Sequence, residues 1–186
     1  MDFALGVIFL TLELVCIALA LLAIMRTGFA RLGSAIGIAR DGFPPGKKVP
    51  SWSLPDIEGH LRVTPAGDHW QLLAFANRSL VAFPEVIAGI HHLAHSAREL
   101  EVLILSNESK EDCVITAEGL DLQVPILPVE PALYDRFRVR VMPFAFLLDP
   151  HGIVRWVGLI KSEDQLLHAW HMSRATVHEE VSSQEA

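Results

Sequence analysis

The chain has 186 residues, a formal net charge of −7 and 51% hydrophobic residues. This length allows one small domain with one core, in addition to a membrane segment and a polar tail. No stripe of lysine and arginine is evident in the polar part of the chain, so the composition argues against a nucleic-acid partner. The two cysteines, Cys16 and Cys113, do not reveal the redox compartment, because Cys16 lies within an apolar run.

An apolar segment at the N-terminus predicts a membrane anchor. Residues 4–25 are interrupted only by Thr11 and Glu13, and about 20 apolar residues span a bilayer as a helix. A cleaved signal peptide is the alternative, but such peptides have a basic start, a shorter apolar core and a cleavage site of small residues. The acidic start at Asp2 and the sequence around Arg26 fit this poorly. We therefore predict an uncleaved single-pass helix over residues 1–26.

Glu13 lies near the middle of this predicted span, where a charged side chain is energetically costly. It is either protonated and tolerated in lipid, or hydrogen-bonded to a helix of another membrane protein. Because intramembrane acids commonly mark functional contacts, we predict a contact with a partner protein inside the membrane at Glu13.

The remaining chain divides into a linker, a domain and a tail. Residues 27–46 are rich in glycine and predict a linker beside the membrane, and the polar residues 176–186 predict a disordered tail. Residues 47–175 alternate apolar runs of strand length with segments of helical periodicity. The predicted elements are, in chain order, strand 70–76, helix 83–100, strand 101–106, helix 109–118, strand 124–127, helix 131–137, strands 144–148 and 153–157, and a helix from Ser162 to about 174. This order predicts an α/β fold in which helices flank a mixed sheet on both faces.

Several local sequences, in this order along the chain, resemble those of membrane-anchored thioredoxin-like proteins. They are Gly46-Lys-Lys-Val-Pro50, Leu54-Pro-Asp-Ile-Glu-Gly59, Leu72-Leu-Ala-Phe75, Val141-Met-Pro143 before Phe144-Ala-Phe-Leu-Leu-Asp149, and His151-Gly-Ile-Val154. With the N-terminal helix and the glycine-rich linker, the layout is most similar to the thioredoxin-like family of methylamine-utilization clusters. Cytochrome-c-maturation thioredoxins are a more distant resemblance. The resemblance extends to about residue 174 and implies a thioredoxin-like fold.

The resemblance also implies a redox motif that this sequence lacks. In these families a Cys-x-x-Cys begins five residues after the strand phenylalanine, where a helix N-terminus lowers the pKa of the first thiol. Counting from Phe75 places the two thiol positions at Leu80 and Phe83. We therefore expect a redox-inactive chain that is not an enzyme and needs no cofactor.

Other reactive residues are predicted to be structural or solvated. Cys113 follows two carboxylates, which raise the pKa of a thiol, so we predict a structural cysteine. Two pairs of histidines have helical spacing that would suit a zinc ion, namely His91 with His95 and His168 with His171. Neither pair has a third ligand beside it, so a polar helix face is preferred and no metal site is predicted. Three further polar residues are expected to be solvated on a turn: Asp56, Glu58 and His60.

Without thiols, the same surface is predicted to be an apolar docking groove. The resemblance implies that the backbone before a cis-proline pairs with an extended segment of a partner, and Met142 and Pro143 take that place here. They would face Ser79, Leu80 and Phe83. Strand-edge pairing and exposed apolar patches are common modes of protein recognition. The alternative, in which the chain's own loop or tail covers Leu80 and Phe83, is equally consistent with the sequence.

Three functions remain open. The first is a structural or assembly subunit of a larger membrane complex, by family analogy an electron-transfer or dehydrogenase system. We favour it because both thiol positions are lost while the strands, the proline and the anchor are kept. The second is a maturation factor that assists disulfide formation in an extracytoplasmic enzyme. The third is a metal-assisted or single-cysteine enzyme.

Two indications of membrane orientation oppose each other. Five basic residues follow the apolar run that ends at residue 25, and none precedes it, which favours a cytoplasmic domain. They are Arg26, Arg31, Arg40, Lys47 and Lys48. The resemblance favours the other side, because related anchored thioredoxins work outside the cytoplasm. We expect a protein of the bacterial plasma membrane with its domain on the extracytoplasmic side.

Overall fold

The structure is a computed structural model that describes residues 41–80 and 83–184, with side chains as far as Val177. One compact unit begins at Asp41. The predicted transmembrane helix, Glu13 and most of the predicted linker lie outside the described residues. Within the described ranges, no helix is both long enough and apolar enough to cross a bilayer.

In this part of the chain, seven strands form two sheets. A small antiparallel hairpin consists of β1 (Trp52–Pro55) and β2 (Leu61–Thr64). The main sheet has the order β5-β4-β3-β6-β7. Its strands are β3 (Trp70–Phe75), β4 (Leu100–Ser106), β5 (Ile126–Pro128), β6 (Phe144–Leu148) and β7 (Val154–Leu159). Strands β3, β4 and β5 are parallel and β6 is antiparallel to both of its neighbours, so the predicted mixed sheet is confirmed.

Four helices connect or follow these strands. They are α1 (Phe83–Ser96), α2 (Lys110–Gly119), α3 (Pro131–Phe137) and α4 (Glu163–Gln184). The Ser109 hydroxyl caps α2 by accepting the N–H of Asp112, and a proline in the first turn begins α3. The predicted end of α4 at about residue 174 is wrong, and so is the disordered tail for residues 176–184. Residues 175–184 contain no proline or glycine that would stop the helix.

Buried apolar side chains form one cluster on each face of the main sheet. Successive side chains of a strand point to opposite faces. Accordingly, Leu72 of β3 belongs to the cluster beneath α1 and α4, and Leu73 belongs to the cluster beneath α3. Every residue of β3 is buried, which explains why its sequence is a continuous apolar run rather than an alternating one.

The domain begins six residues earlier than predicted. Residues 41–46 were expected in the linker, but the Gly42 N–H donates to the Arg138 carbonyl at 2.9 Å. The Phe43 ring packs against Phe137 and Phe146 with centroid distances of 6.1 and 6.5 Å. Gly42 has φ +80, and a Cβ there would lie 2.9 Å from Phe146. Only glycine therefore allows the chain to pass this close to the aromatic core.

Both hairpin turns are stabilised by the same motif, Asp-x-x-Gly-x-x-Arg. Oδ1 of Asp56 accepts hydrogen bonds from the backbone N–H groups of Glu58 and His60, at 3.0 and 2.9 Å. Oδ2 accepts a hydrogen bond from the Nε–H of Arg62 at 3.0 Å. Asp149 repeats these contacts at 2.9 and 3.0 Å, with Arg155 Nε at 2.9 Å. Asp56 and Asp149 are each only 3% exposed. The prediction that Asp56 is solvated is therefore wrong, because its carboxylate organises the turn.

A charged network joins the small hairpin to the main sheet. Arg62, which pairs with Asp56, also contacts Glu101 of β4 at 3.3 Å. The second carboxylate oxygen of Glu101 accepts Nε2 of Gln71 at 2.8 Å and lies 3.1 Å from Nε2 of His69. Asp68 lies 2.6 Å from the other ring nitrogen of His69. Burial would lower the pKa of His69, but the two carboxylates outweigh it and the pKa is raised above 6.5.

We expect this network to weaken at alkaline pH. The pKa of His69 is higher in the folded protein than in the unfolded one. The stabilisation that protonated His69 provides is therefore fully present below about pH 6.5, and it is lost as pH rises through the folded pKa. Urea unfolding at pH 6 and pH 8 should show a larger loss of stability for the wild type than for His69→Gln. An equal loss in the two proteins would show that His69 does not carry the effect.

Candidate functional site

The residues singled out in the sequence meet at one end of the main sheet. Phe75, the last residue of β3, pairs with Phe144 at the start of β6, and Phe144 pairs with Leu159 at the end of β7. The loop after β3, the loop before β6 and the end of β7 therefore lie side by side. This is the place where the resemblance locates the chemistry.

The loop after β3 is held by polar contacts to the loop after β4. Asn77 is buried, donates to the Asn107 side chain at 2.8 Å, and accepts the Ser79 N–H at 3.1 Å. Arg78 pairs with Glu108 at 3.2 Å and also with Asp112. These carboxylates balance the only formal positive charge of the loop, so Arg78 provides no unbalanced charge that would stabilise an anion or a thiolate there.

The two expected thiol positions differ in their environment. Leu80 is partly buried and packs at the border of the core cluster beneath α1 and α4. Phe83 begins α1 and is 3% exposed within that cluster. The prediction that Phe83 faces a partner is therefore wrong. Its ring lies inside the domain because the first residues of α1 already face the sheet.

The loop before β6 supplies the other side of the surface. The peptide bond between Met142 and Pro143 is cis, and the Pro143 carbonyl accepts the N–H of Ile160 at 3.0 Å. Met142 and Pro143 are both partly buried. Two apolar neighbours were missed in the sequence: Val141 is 45% exposed and Leu159 is 38% exposed.

We refer to Ser79, Leu80, Val141, Met142, Pro143 and Leu159 as the strand-end surface. Its members lie on three chain segments, which are the loop after β3, the loop before β6 and the end of β7. Apart from Ser79 they are apolar, and their side chains are either exposed or half-buried. Val141 could have been assigned to this surface from the sequence, because it directly precedes Met142 and Pro143. Leu159 could be assigned only once the register of β7 against β6 was known.

Cys113 lies away from this surface, inside the domain. It is fully buried, at 0% exposure, in the cluster beneath α1 and α4. Burial raises the pKa of its thiol, and the carboxylates of Glu108 and Asp112 raise it further. A thiol that is both inaccessible and protonated at neutral pH is a poor nucleophile.

We therefore expect the folded protein to resist thiol reagents at Cys113. In a Cys16→Ala background, a disulfide-exchange reagent at pH 7.5 should release less than 10% of one equivalent within an hour, against one full equivalent in denaturant. Rapid labelling of the folded protein would show that this cysteine is accessible and would reopen the possibility of single-cysteine chemistry.

The histidine pairs are engaged in protein contacts or lie on the surface. Nδ1 of His95 donates to the carbonyl of His91 at 2.8 Å, and Nε2 of His91 accepts the N–H of Gln123 at 3.0 Å. His168 and His171 are exposed on α4. These contacts occupy one ring nitrogen of each member of the first pair.

Among the described residues, three side chains are close enough together to suit a metal ion: Asp56, Glu58 and His60. Both carboxylate oxygens of Asp56 are already used, by two backbone N–H groups and by Arg62. A cation would have to displace the arginine. The cluster is therefore explained as the hairpin turn itself.

Comparison with known proteins supports the fold. No protein-family model matches the sequence and no curated protein is similar to it. The structure is similar to the thioredoxin domain of a thiol-disulfide oxidoreductase from Bacteroides vulgatus, with TM-score 0.59 and 12% identity over 65% of this chain and 92% of that one. A thioredoxin-family thiol:disulfide interchange protein from Chlorobium tepidum gives TM-score 0.57 and 15% identity over 70% and 97%. Peroxidoxin BcpB from Mycobacterium tuberculosis gives 0.59 and 18% over 70% and 96%.

These similarities define the class of the domain. Residues 41–184, as far as they are described, have a thioredoxin-like fold, as the sequence predicted. The identities are low, so the likeness concerns the fold and leaves the chemistry to be argued from this chain's own residues.

Proposed function

We propose that this chain is a redox-inactive, membrane-anchored thioredoxin-like protein that serves as a structural or assembly subunit of a larger membrane complex. The main observation in favour of this proposal is that the expected thiol positions hold Leu80 and Phe83 instead of cysteines. The segment from Asn77 to Pro84 contains no cysteine, and Phe83 fills the core with its ring. A Cys-x-x-Cys pair exchanges disulfides through two neighbouring thiols, and this segment offers none.

The strand-end surface is the proposed docking site. Val141 and Leu159 expose apolar side chains, and Leu80 and Met142, on the neighbouring segments, are partly buried. Apolar side chains next to exposed backbone suit an extended segment of a partner protein. By family analogy the partner belongs to an electron-transfer or dehydrogenase system. The proposed location is the bacterial plasma membrane, with the domain on the extracytoplasmic side.

A second candidate is a maturation factor for an extracytoplasmic enzyme with disulfides. The names of the similar structures favour it, because they include a thiol-disulfide oxidoreductase and a thiol:disulfide interchange protein. Such a factor would hold a client while another protein supplied the thiols. It would bind clients transiently, whereas a subunit would remain in a complex of fixed stoichiometry.

The test is purification of the full-length protein in mild detergent, with mass spectrometry of everything that remains bound. We expect a stoichiometric set of membrane proteins. Val141→Asp should reduce their recovery at least fivefold, because a charge in a docked apolar surface is costly. Ile115→Asp is the matched control, since Ile115 is 58% exposed on α2 and is not a member of the strand-end surface, and should change nothing. Recovery of the protein alone would contradict the subunit proposal, and a changing set of soluble clients would favour the maturation factor.

Glu13 tests the membrane part of the proposal separately. Glu13→Leu should lower co-purification of membrane partners several-fold, because a hydrogen bond inside the bilayer is lost. The unfolding of the described domain should not change, since Glu13 lies outside it. A Glu13→Gln variant keeps a polar group and should retain most of the association. Equal recovery with leucine would show that Glu13 is only tolerated in lipid.

A further inference from the structure

Five exposed cations lie on two neighbouring segments of the domain, although the sequence showed no basic stripe. Lys47 and Lys48 lie in the segment that enters the domain, and Arg136, Arg138 and Arg140 lie at the end of α3 and just after it. All five are exposed. Two acids, Asp41 and Asp135, share these segments, whereas the whole chain has a net charge of −7.

Direct contacts place the two segments side by side. The carbonyl of Arg138 accepts the Gly42 N–H at 2.9 Å, and Nη2 of Arg136 donates to the Ser51 carbonyl at 3.3 Å. The guanidinium of Arg138 lies 5.3 Å from the centroid of the Phe43 ring. Arg136 and Arg138 therefore contact the two ends of the segment 42–51. Both lysines lie between these contacts, where the segment pairs with residues 153 and 154. We refer to Lys47, Lys48, Arg136, Arg138 and Arg140 as the basic surface.

These cations differ from most others in the described domain. Arg62, Arg78, Arg155 and Arg174 each form an ion pair with a carboxylate. Within the described ranges, the members of the basic surface form none, and the contacts of Arg136 and Arg138 are to a neutral carbonyl and a neutral ring. Their charge is not balanced inside the domain and remains available to an anionic partner.

We propose that the basic surface binds the anionic phosphate headgroups of a lipid bilayer and holds the domain against the membrane. The inference deepens the proposed function, since it rests on membrane anchoring. The basic segment Lys47–Lys48 follows residue 25, the end of the apolar run, by 22 residues. Basic residues near a membrane segment bind anionic lipid, each contributing a modest factor in affinity.

A bilayer explains this surface better than an acidic protein does. The charges are spread along two exposed segments, and the large exposed apolar side chains next to them are single ones. Val141 follows Arg140, and Met172 lines a groove with Pro45 and Gly46. A protein interface normally has an apolar centre within a polar rim. A plane of phosphates needs only exposed cations on neighbouring segments, which these segments supply.

The experiment uses the full-length protein in lipid nanodiscs, with a fluorophore on Ser51→Cys in a Cys16→Ala background and a quencher on the lipid headgroups. Discs of phosphatidylcholine alone are compared with discs containing about 30% phosphatidylglycerol. Quenching should rise in the anionic discs and fall again at high salt, because salt screens the attraction. The double variant Lys48→Gln/Arg140→Gln should lower the apparent binding to anionic discs on the order of tenfold.

The matched control is Arg98→Gln/Lys110→Gln, which removes one exposed arginine and one exposed lysine elsewhere on the domain and should behave like the wild type. Equal quenching in the two kinds of disc would overturn the proposal. The proposal would also be overturned if the double variant bound anionic discs as well as the wild type does. It would likewise be overturned if the double variant lost a protein partner but kept its response to anionic lipid. Competition by inorganic phosphate at low millimolar concentration would assign the surface to a free anion instead.

Failure of the anchor can be separated from failure of the basic surface. If the protein does not insert into discs, the proposed anchoring is wrong. Flotation with vesicles then still tests the surface, because binding to anionic and not to neutral vesicles requires only the five cations.

Discussion

Replacing Phe83 with alanine should lower the free energy of unfolding by about 3–5 kcal/mol, the usual cost of removing a buried aromatic ring. The ring is 3% exposed in the cluster beneath α1 and α4, so its loss leaves a cavity between α1 and the sheet. Urea unfolding followed by tryptophan fluorescence would measure the change.

Phe83→Leu is the conservative control and should cost about 1–1.5 kcal/mol, since most of the apolar volume remains. Leu80→Ala should cost less than Phe83→Ala, because Leu80 is only partly buried. A loss below about 1 kcal/mol for Phe83→Ala would mean that the ring does not contribute to the core in solution.

The same argument predicts what happens if the thiol pair is restored. In Leu80→Cys/Phe83→Cys a small thiol replaces the ring, so the reduced protein should still lose about 2–4 kcal/mol relative to the wild type. If the double variant were as stable as the wild type, the aromatic residue would have no structural role at this position. The burial of Phe83 thus predicts a structural role for the residue at the second expected thiol position.

Asp56→Ala should destabilise the protein by about 3 kcal/mol at pH 7. The substitution removes two charge-assisted hydrogen bonds to backbone N–H groups and leaves Arg62 with Glu101 as its remaining partner. Asp149 has the same contacts in the second hairpin, so Asp149→Ala should cost a similar amount. Glu58→Ala is the control, because its side chain is 71% exposed and should change stability by less than 0.5 kcal/mol.

The Asp56 contribution should disappear in acid. Burial alone would raise the pKa of this carboxyl, but the Arg62 contact and the N–H groups of His60 and Glu58 outweigh it, and the pKa is lowered from 3.8. Because the pKa of Asp56 is lower in the folded protein than in the unfolded one, the stabilisation by its carboxylate is fully present above about pH 4. It is lost as pH falls through the folded pKa. Unfolding curves from pH 6 to pH 3 should therefore show the wild type approaching Asp56→Ala. A constant difference across this range would assign the effect to another group.

Periodicity and turn chemistry were sufficient to predict the main elements of the domain. The buried run at 70–76, the helix 131–137 and the strand 144–148 agree with β3, α3 and β6. Each is a local property, because apolar runs, helical spacing and an early proline do not depend on distant residues. The absence of cysteine from residues 77–84 could also be read directly.

The hairpin β1–β2 was not predicted as strands, and only its turn was found. Its two strands have four residues each, which is too short for a clear alternation of apolar and polar residues. The paired motif Asp-x-x-Gly-x-x-Arg became recognisable only when Asp56 and Asp149 were seen to make the same contacts. The burial of a carboxylate depends on an arginine six residues away and on the surrounding sheet.

The sequence alone determined that this chain has an apolar N-terminal run, an α/β domain and no cysteine in residues 77–84, the segment that includes the loop after β3. The tertiary structure decided which of the remaining residues face outward. Packing of α1 on the sheet turned Phe83 inward, and strand register placed Leu159 opposite Phe144, at the end of the sheet where the loop containing Val141 enters β6. The contacts of Gly42 with Arg138 and of Ser51 with Arg136 joined the segments that carry the lysines and the arginines, which are 96 and 85 residues apart in the chain at these contacts. Exposure and charge clustering depend on which distant segments meet, and that is settled only when the chain is folded.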